Sequence, residues 1–114
     1  MKVLDLFSGI GGFSLGLERA GMETIAFCEF DEHAQKVLRK HWPDVPIYDD
    51  VRTLNGYDYR GTVDVVTGGF PCQDLSSAGK QEGFSGERSS LYTEMLRVIS
   101  ECMPRYAIFE NVTG

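Results

Sequence analysis

Cys72 is the residue of this sequence best suited to covalent chemistry. A run of small and β-branched residues, Val63-Asp64-Val65-Val66-Thr67-Gly68-Gly69, ends in Phe70-Pro71-Cys72-Gln73-Asp74-Leu75-Ser76. The thiolate is the strongest common protein nucleophile, and the carboxyl end of a strand in an open α/β sheet is where such folds bind ligands. Most free cysteines are small buried hydrophobes. Cys28 and Cys102 fit that description, whereas Cys72 is placed at a site.

A second constellation is the glycine turn Phe7-Ser8-Gly9-Ile10-Gly11-Gly12-Phe13, which follows an apolar run. Glycines there let the backbone approach a ligand at a helix N-terminus, and Glu29, twenty residues beyond Gly9, is placed to accept hydrogen bonds from ribose hydroxyls. Together they predict an adenosine-type cofactor. Ser14 stands where the dinucleotide fingerprint has its third glycine. Phe30 is either a ring that stacks on adenine or a core phenylalanine. Asp50 either reaches the adenine amino group or caps a helix.

The third constellation is Phe109-Glu110-Asn111-Val112. A carboxyl group partly shielded from water can stay protonated near neutral pH and donate a proton, the role of a general acid. Glu110 is therefore the candidate acid facing Cys72; a solvated strand terminus is the alternative.

These groups need a scaffold that brings them to one edge. Apolar runs alternate with amphipathic stretches, predicting strands over 2–7, 23–27, 46–48, 63–69 and 105–109. Helices are predicted over 13–20, 31–41 and 90–102, with a weaker helical turn over 51–54. The inward residues would be Phe13, Leu17 and Ala20 in the first helix and Ala34, Val37, Leu38 and Trp42 in the second. Leu91, Met95, Val98, Ile99 and Cys102 would face inward from the third. Strands apolar on both faces and alternating with helices imply an α/β, doubly wound, mostly parallel sheet. In the order 3-2-1-4-5 the carboxyl ends of the fourth and fifth strands are adjacent, which brings Cys72 and Glu110 to one substrate. The polar, glycine- and serine-rich stretch 76–89 reads as an active-site loop.

Composition bounds the function. The 114 residues allow one domain, 42% hydrophobic and 25% charged, without an apolar run of bilayer length or a secretory signal, so a cytoplasmic location is expected. Three cysteines at scattered spacings form neither a zinc knuckle nor a redox pair, and no metal site is expected. A net charge of −6 argues against this segment alone gripping a polyanion.

Taken in order, the motifs resemble those of the cytosine-C5 DNA methyltransferase family along essentially the whole chain. Asp5-Leu6-Phe7-Ser8-Gly9-Ile10-Gly11-Gly12-Phe13 resembles its cofactor motif, Gly69-Phe70-Pro71-Cys72-Gln73-Asp74-Leu75-Ser76 its catalytic motif, and Glu110-Asn111-Val112 a third. Glu29-Phe30-Asp31, Asp50-Val51 and Gly79-Lys80-Gln81-Glu82-Gly83-Phe84 match between them. The resemblance implies a Rossmann-like fold and S-adenosylmethionine as cofactor. Phe7, Ser8, Gly9, Gly11 and Gly12 would line its pocket, Glu29 its ribose, and Phe30, Asp50 and Val51 its adenine. It further implies that Cys72 adds to cytosine C6, that Glu110 assists at N3, that Asn111 holds the loop carrying Cys72, and that Pro71 shapes its approach. The target base would be flipped from double-stranded DNA, with 76–89 as the lid.

The family's arginine-containing motif, target-recognition domain and closing C-terminal segments are not matched. Residues 1–114 are thus expected to be the N-terminal portion of the catalytic domain, weakly active or inactive alone and binding DNA weakly. The fifth strand would present an edge for self-association or for a complementing C-terminal chain. Two alternatives stay open: a non-catalytic S-adenosylmethionine-binding remnant or partner-binding module, and a nicotinamide-dependent oxidoreductase. The first leaves the presence of Cys72 and Glu110 unexplained, and the second gives them no role.

Overall fold

The computed structural model describes residues 1–9, 11–71 and 87–112. Five parallel strands form one sheet in the order β3-β2-β1-β4-β5. Its elements are β1 (Lys2–Leu6), α1 (Gly12–Arg19), β2 (Glu23–Cys28), α2 (Glu32–His41) and β3 (Ile47–Tyr48), then two short 3-10 turns (Val51–Thr53 and Gly56–Tyr59), β4 (Val65–Pro71), α3 (Glu87–Cys102) and β5 (Tyr106–Val112). The predicted strand order and alternation hold.

Several boundaries move. β4 starts at Val65 and runs to Pro71, two residues beyond the expected end, because β5 pairs with it from Val65↔Tyr106 through Pro71↔Val112. Glu110 and Asn111 consequently lie inside β5 rather than after it. α3 begins at Glu87, three residues earlier than its periodicity indicated, so residues 87–89 of the anticipated loop are helical. The second 3-10 turn was not anticipated; Asn55 opens it by accepting from the Tyr57 amide at 3.0 Å. Among the described residues no helix is long and apolar enough to cross a membrane.

One sheet face carries Leu4, Leu6, Ala26, Cys28 and Val66, packed with Met95, Val98 and Cys102 of α3 and with Val51, Leu54 and Val63. Met95, Val98 and Cys102 are fully buried, as the helical spacing required, and Ile99 packs against them in part. The other face carries α1 and α2. A register shift between Val3 and Leu4 against β2 lets Thr24 reach Ser14 of α1 while Phe27 meets Trp42 edge-on at 5.1 Å.

Here the helical wheel misplaced α1. Its buried residue is Ser14, whereas Phe13 and Leu17 are half-buried and Ala20 is exposed. In α2, Ala34 and Leu38 are buried as expected, but Val37 and Trp42 are half-covered and Gln35 is buried instead. Both differences have a polar cause. Ser14 and Gln35 each make buried or part-buried hydrogen bonds that apolar periodicity does not register.

Candidate active-site edge

The glycine turn leaves β1 through two unusual backbone conformations, Phe7 at φ 55° and Gly9 at φ 57°, before Gly11 at φ 88° starts α1. Ser8 fastens the turn, donating from its hydroxyl to the Asp5 carbonyl at 2.7 Å and from its amide to the Cys28 carbonyl at 3.2 Å. A Cβ on Gly11 would lie 2.6 Å from the Trp42 ring and 2.8 Å from Leu38. Gly11 is therefore fixed both by its left-handed backbone and by the α2 side chains beneath it. Gly9 differs: it is exposed, and a Cβ there would meet nothing within 4 Å among the described residues.

Glu29 stands at the carboxyl end of β2 and ties this rim together. Its carboxylate accepts from the Gly9 amide at 2.7 Å and the Asp31 amide at 2.9 Å, while its carbonyl accepts from Gln35 Nε2 at 2.6 Å. Phe30 follows it and is 78% exposed, which removes the core-phenylalanine alternative. Asp50 caps the first 3-10 turn, as its capping alternative has it: its Oδ1 accepts from the Arg52 amide at 2.9 Å, and its carboxylate also pairs with the Arg52 guanidinium at 3.1 Å. These bonds from Arg52 hold the Asp50 carboxyl below its usual range. Val51, which follows Asp50, is buried.

Below the rim, Cys28 is 2% exposed and its thiol is pushed up to about 12, first by burial and then by the nearby carboxylates of Glu29, Asp50 and Asp49. Burial likewise lifts Cys102 to about 11, with Glu101 adding to it. Both are free thiols that stay protonated at neutral pH, as expected of core cysteines.

The sequence patterns did not reveal the support under the glycine turn. Asp5, 3% exposed in the middle of β1, accepts from Ser14 Oγ at 2.6 Å and Thr67 Oγ1 at 3.1 Å, and Thr24 Oγ1 donates to Ser14 Oγ at 2.8 Å. Four polar side chains from β1, α1, β2 and β4 thus converge on one buried point. The sequence signal was Ser14 in place of the third glycine: a hydroxyl at that position needs an acceptor beneath the helix.

On the other side of the edge, β4 and β5 end together, with Gly69 opposite Glu110 and Phe70 opposite Asn111. Pro71 and Glu110-Asn111-Val112 are placed by their backbone. Cys72, the Gly79–Phe84 match and the remainder of 73–86 lie outside the described residues. Among the described residues no group of three or more His, Cys, Asp or Glu is arranged to hold a metal.

The model of the family described as C-5 cytosine-specific DNA methylase matches residues 1–114. The chain belongs to that family. It is 46% identical over 113 residues to the type II methyltransferase M.Eco47II of Escherichia coli, covering 98% of this chain and 27% of that protein. It is 44% identical over 116 residues to M2.BsuMI of Bacillus subtilis, covering 98% and 29%. Among solved structures, a prophage-encoded DNA modification methyltransferase of Escherichia coli superposes with a TM-score of 0.79 at 35% identity, over 100% of this chain and 32% of that one. This methylase chain spans less than a third of the length of each of these relatives. The Rossmann-like α/β architecture is shared with that solved structure.

Proposed function

We propose that this chain supplies the cofactor-binding and nucleophile portion of a DNA (cytosine-5-)-methyltransferase, working with a C-terminal portion that reads the DNA. The observation that carries the proposal is the strand order. The parallel strands β1, β2, β4 and β5 carry Phe7 to Gly9, Glu29 and Phe30, Pro71 and Glu110-Asn111 at their carboxyl ends, and Cys72 follows Pro71 directly in sequence, which supports one shared site.

The rim fits S-adenosylmethionine. Phe7, Ser8, Gly9, Gly11 and Gly12 form a turn whose open side has no Cβ at Gly9. The Glu29 carboxylate, already holding the turn, is the acceptor for ribose hydroxyls, and the exposed Phe30 ring is a stacking surface for adenine. Asp50 and the Val51 backbone bound the same nucleoside. When bound, the cofactor supplies an electrophilic methyl group on a sulfonium.

The remaining chemistry belongs to the chain. Cytosine C5 is a weak nucleophile, and sulfur from Cys72 adding to C6 turns the base into an enamine whose C5 is electron-rich. Glu110 protonates or hydrogen-bonds N3, relieving the charge that thiolate addition creates. Asn111 holds the Cys72 loop and Pro71 shapes its path. Loss of the C5 proton then expels the thiolate. Because C6 is inaccessible inside a duplex, the base is flipped out, and the segment 76–86 ahead of α3 covers it. The proposal includes a cytoplasmic setting, weak DNA binding by this acidic segment alone, and the β5 edge as the docking line for a complementing chain or a second copy.

The test is covalent trapping on duplex DNA carrying 5-fluorocytosine, with S-adenosylmethionine and the C-terminal portion of a relative such as M.Eco47II supplied. A DNA adduct at Cys72, absent after Cys72→Ser, is expected. No adduct, or an equal yield from Cys72→Ser, overturns the proposal.

A further inference from the structure

Arg97, in the middle of α3, reaches three acceptors at once. Its Nε donates to Glu94 Oε1, its Nη1 to Glu101 Oε1 and its Nη2 to the Val51 carbonyl, each at 2.8 Å. The first two are ordinary pairs along a helix face, three and four residues apart. The third crosses 46 residues of sequence to the backbone of the turn that follows β3. That carbonyl also closes the turn by accepting from the Leu54 amide at 3.2 Å.

The same α3 surface grips the second 3-10 turn. Glu101 Oε1 accepts from the Gly56 amide at 2.8 Å, and a Cβ on Gly56 would lie 2.7 Å from Glu101 Cβ. A separate clamp exists in Arg60, whose guanidinium donates to the carbonyls of Glu101 at 2.7 Å and Ser100 at 3.3 Å. Anchorage of this segment to α3 therefore does not depend on Arg97. What Arg97 alone among these groups holds is the first turn, at the residue next to Asp50.

We infer that Arg97 is a positioning residue of the nucleoside pocket: by holding the Val51 carbonyl it sets the aim of Asp50 on the adenine amino group. The inference rests on the S-adenosylmethionine reading above. Arginine suits the task because its planar fork serves separate acceptors on two elements, whereas a lysine ammonium is a single point of charge. The link also runs from the helix that follows the Cys72 segment to the cofactor side of the sheet.

The test is calorimetric titration of the chain with S-adenosylhomocysteine and with S-inosylhomocysteine, in which a carbonyl replaces the adenine amino group. Wild type is expected to prefer the adenine compound. Arg97→Met, which keeps the aliphatic stem, is expected to weaken S-adenosylhomocysteine by about tenfold and to bring the ratio between the two compounds towards one. Arg97→Lys should fall between, and it carries the test if thermal melting shows that Arg97→Met does not fold. Arg97→Met within twofold of wild type in both affinity and base preference overturns the inference. So does weaker binding with an unchanged base preference, because general loosening would do that. If wild type binds neither compound, the cofactor reading itself fails, which is a distinct result.

Discussion

The two sides of the glycine turn are built to opposite rules. Beneath it, Asp5, Ser14, Thr24 and Thr67 are buried and joined by hydrogen bonds from four elements. No buried side-chain nitrogen or oxygen among the described residues lacks a partner. Above it, Gly9 is exposed with no neighbour among the described residues within 4 Å of where a Cβ would lie, and Phe30 is 78% exposed. The saturated lower side fixes where the turn sits, and the upper side leaves the Gly9 backbone and the Phe30 ring accessible. Burial of polar groups without partners is costly, so the satisfied cluster marks the scaffold, while the exposed ring beside the glycine turn is the surface a ligand can reach.

Removing the scaffold should cost most. Asp5→Ala leaves the Ser14 and Thr67 hydroxyls without their acceptor and is expected to destabilise the chain by about 2–4 kcal/mol in urea titration. A loss below about 1 kcal/mol would mean the buried cluster supports nothing. Gly11→Ala attacks the same scaffold from the α2 side, through a positive φ and a collision with Trp42 and Leu38. It should cost about 2–3 kcal/mol, and Trp42→Ala in the same chain should relieve the steric part of that cost.

On the rim the currency of loss changes from stability to affinity. Phe30→Ala is expected to alter unfolding free energy by less than about 0.5 kcal/mol while weakening S-adenosylhomocysteine roughly tenfold, as loss of a stacked ring does. A stability loss comparable to that of Asp5→Ala would erase the distinction between the two sides.

How far this contrast was legible beforehand depended on the kind of signal. The alternation of strands and helices, the glycine turn and Glu29 at the β2 terminus follow from apolar pattern and spacing, which local sequence carries directly, and the strand order follows from the doubly wound fold that this alternation implies. The buried cluster does not, because Asp5 and Thr67 meet only after β1 and β4 pair side by side. Ser14 was noticed as a departure from a glycine pattern, but its partner could be known only from that pairing. The lengths of β4 and β5 escaped for a related reason: a strand extends as far as its neighbour allows, and residues 69–71 pair with 110–112. Arg97 carries no sequence signal at all, since nothing local marks a bond to a backbone carbonyl 46 residues away.

The smallest effect at neutral pH is predicted for the core thiols. Cys28 and Cys102, raised to about 12 and about 11, should resist iodoacetamide in the folded chain at pH 8 and react once urea unfolds it, as peptide mass spectrometry would show. Because the folded Cys28 thiol holds its proton more tightly than an unfolded one at its ordinary 9.0, its contribution is fully present below about pH 9. It is lost as pH rises towards about 12, so stability falls over that window and Cys28→Ala should flatten the fall. Rapid native labelling of Cys28 would contradict the burial that defines the lower side.

The central claim is that the open side of the turn is a nucleoside site for a sulfonium cofactor. Parallel calorimetric titrations of the wild-type chain with S-adenosylmethionine and with NAD test it most directly. Saturable one-to-one binding of S-adenosylmethionine, with NAD binding at least a hundredfold weaker, is the predicted result. Equal binding of the two, preference for NAD, or no binding of S-adenosylmethionine by the folded chain would contradict it.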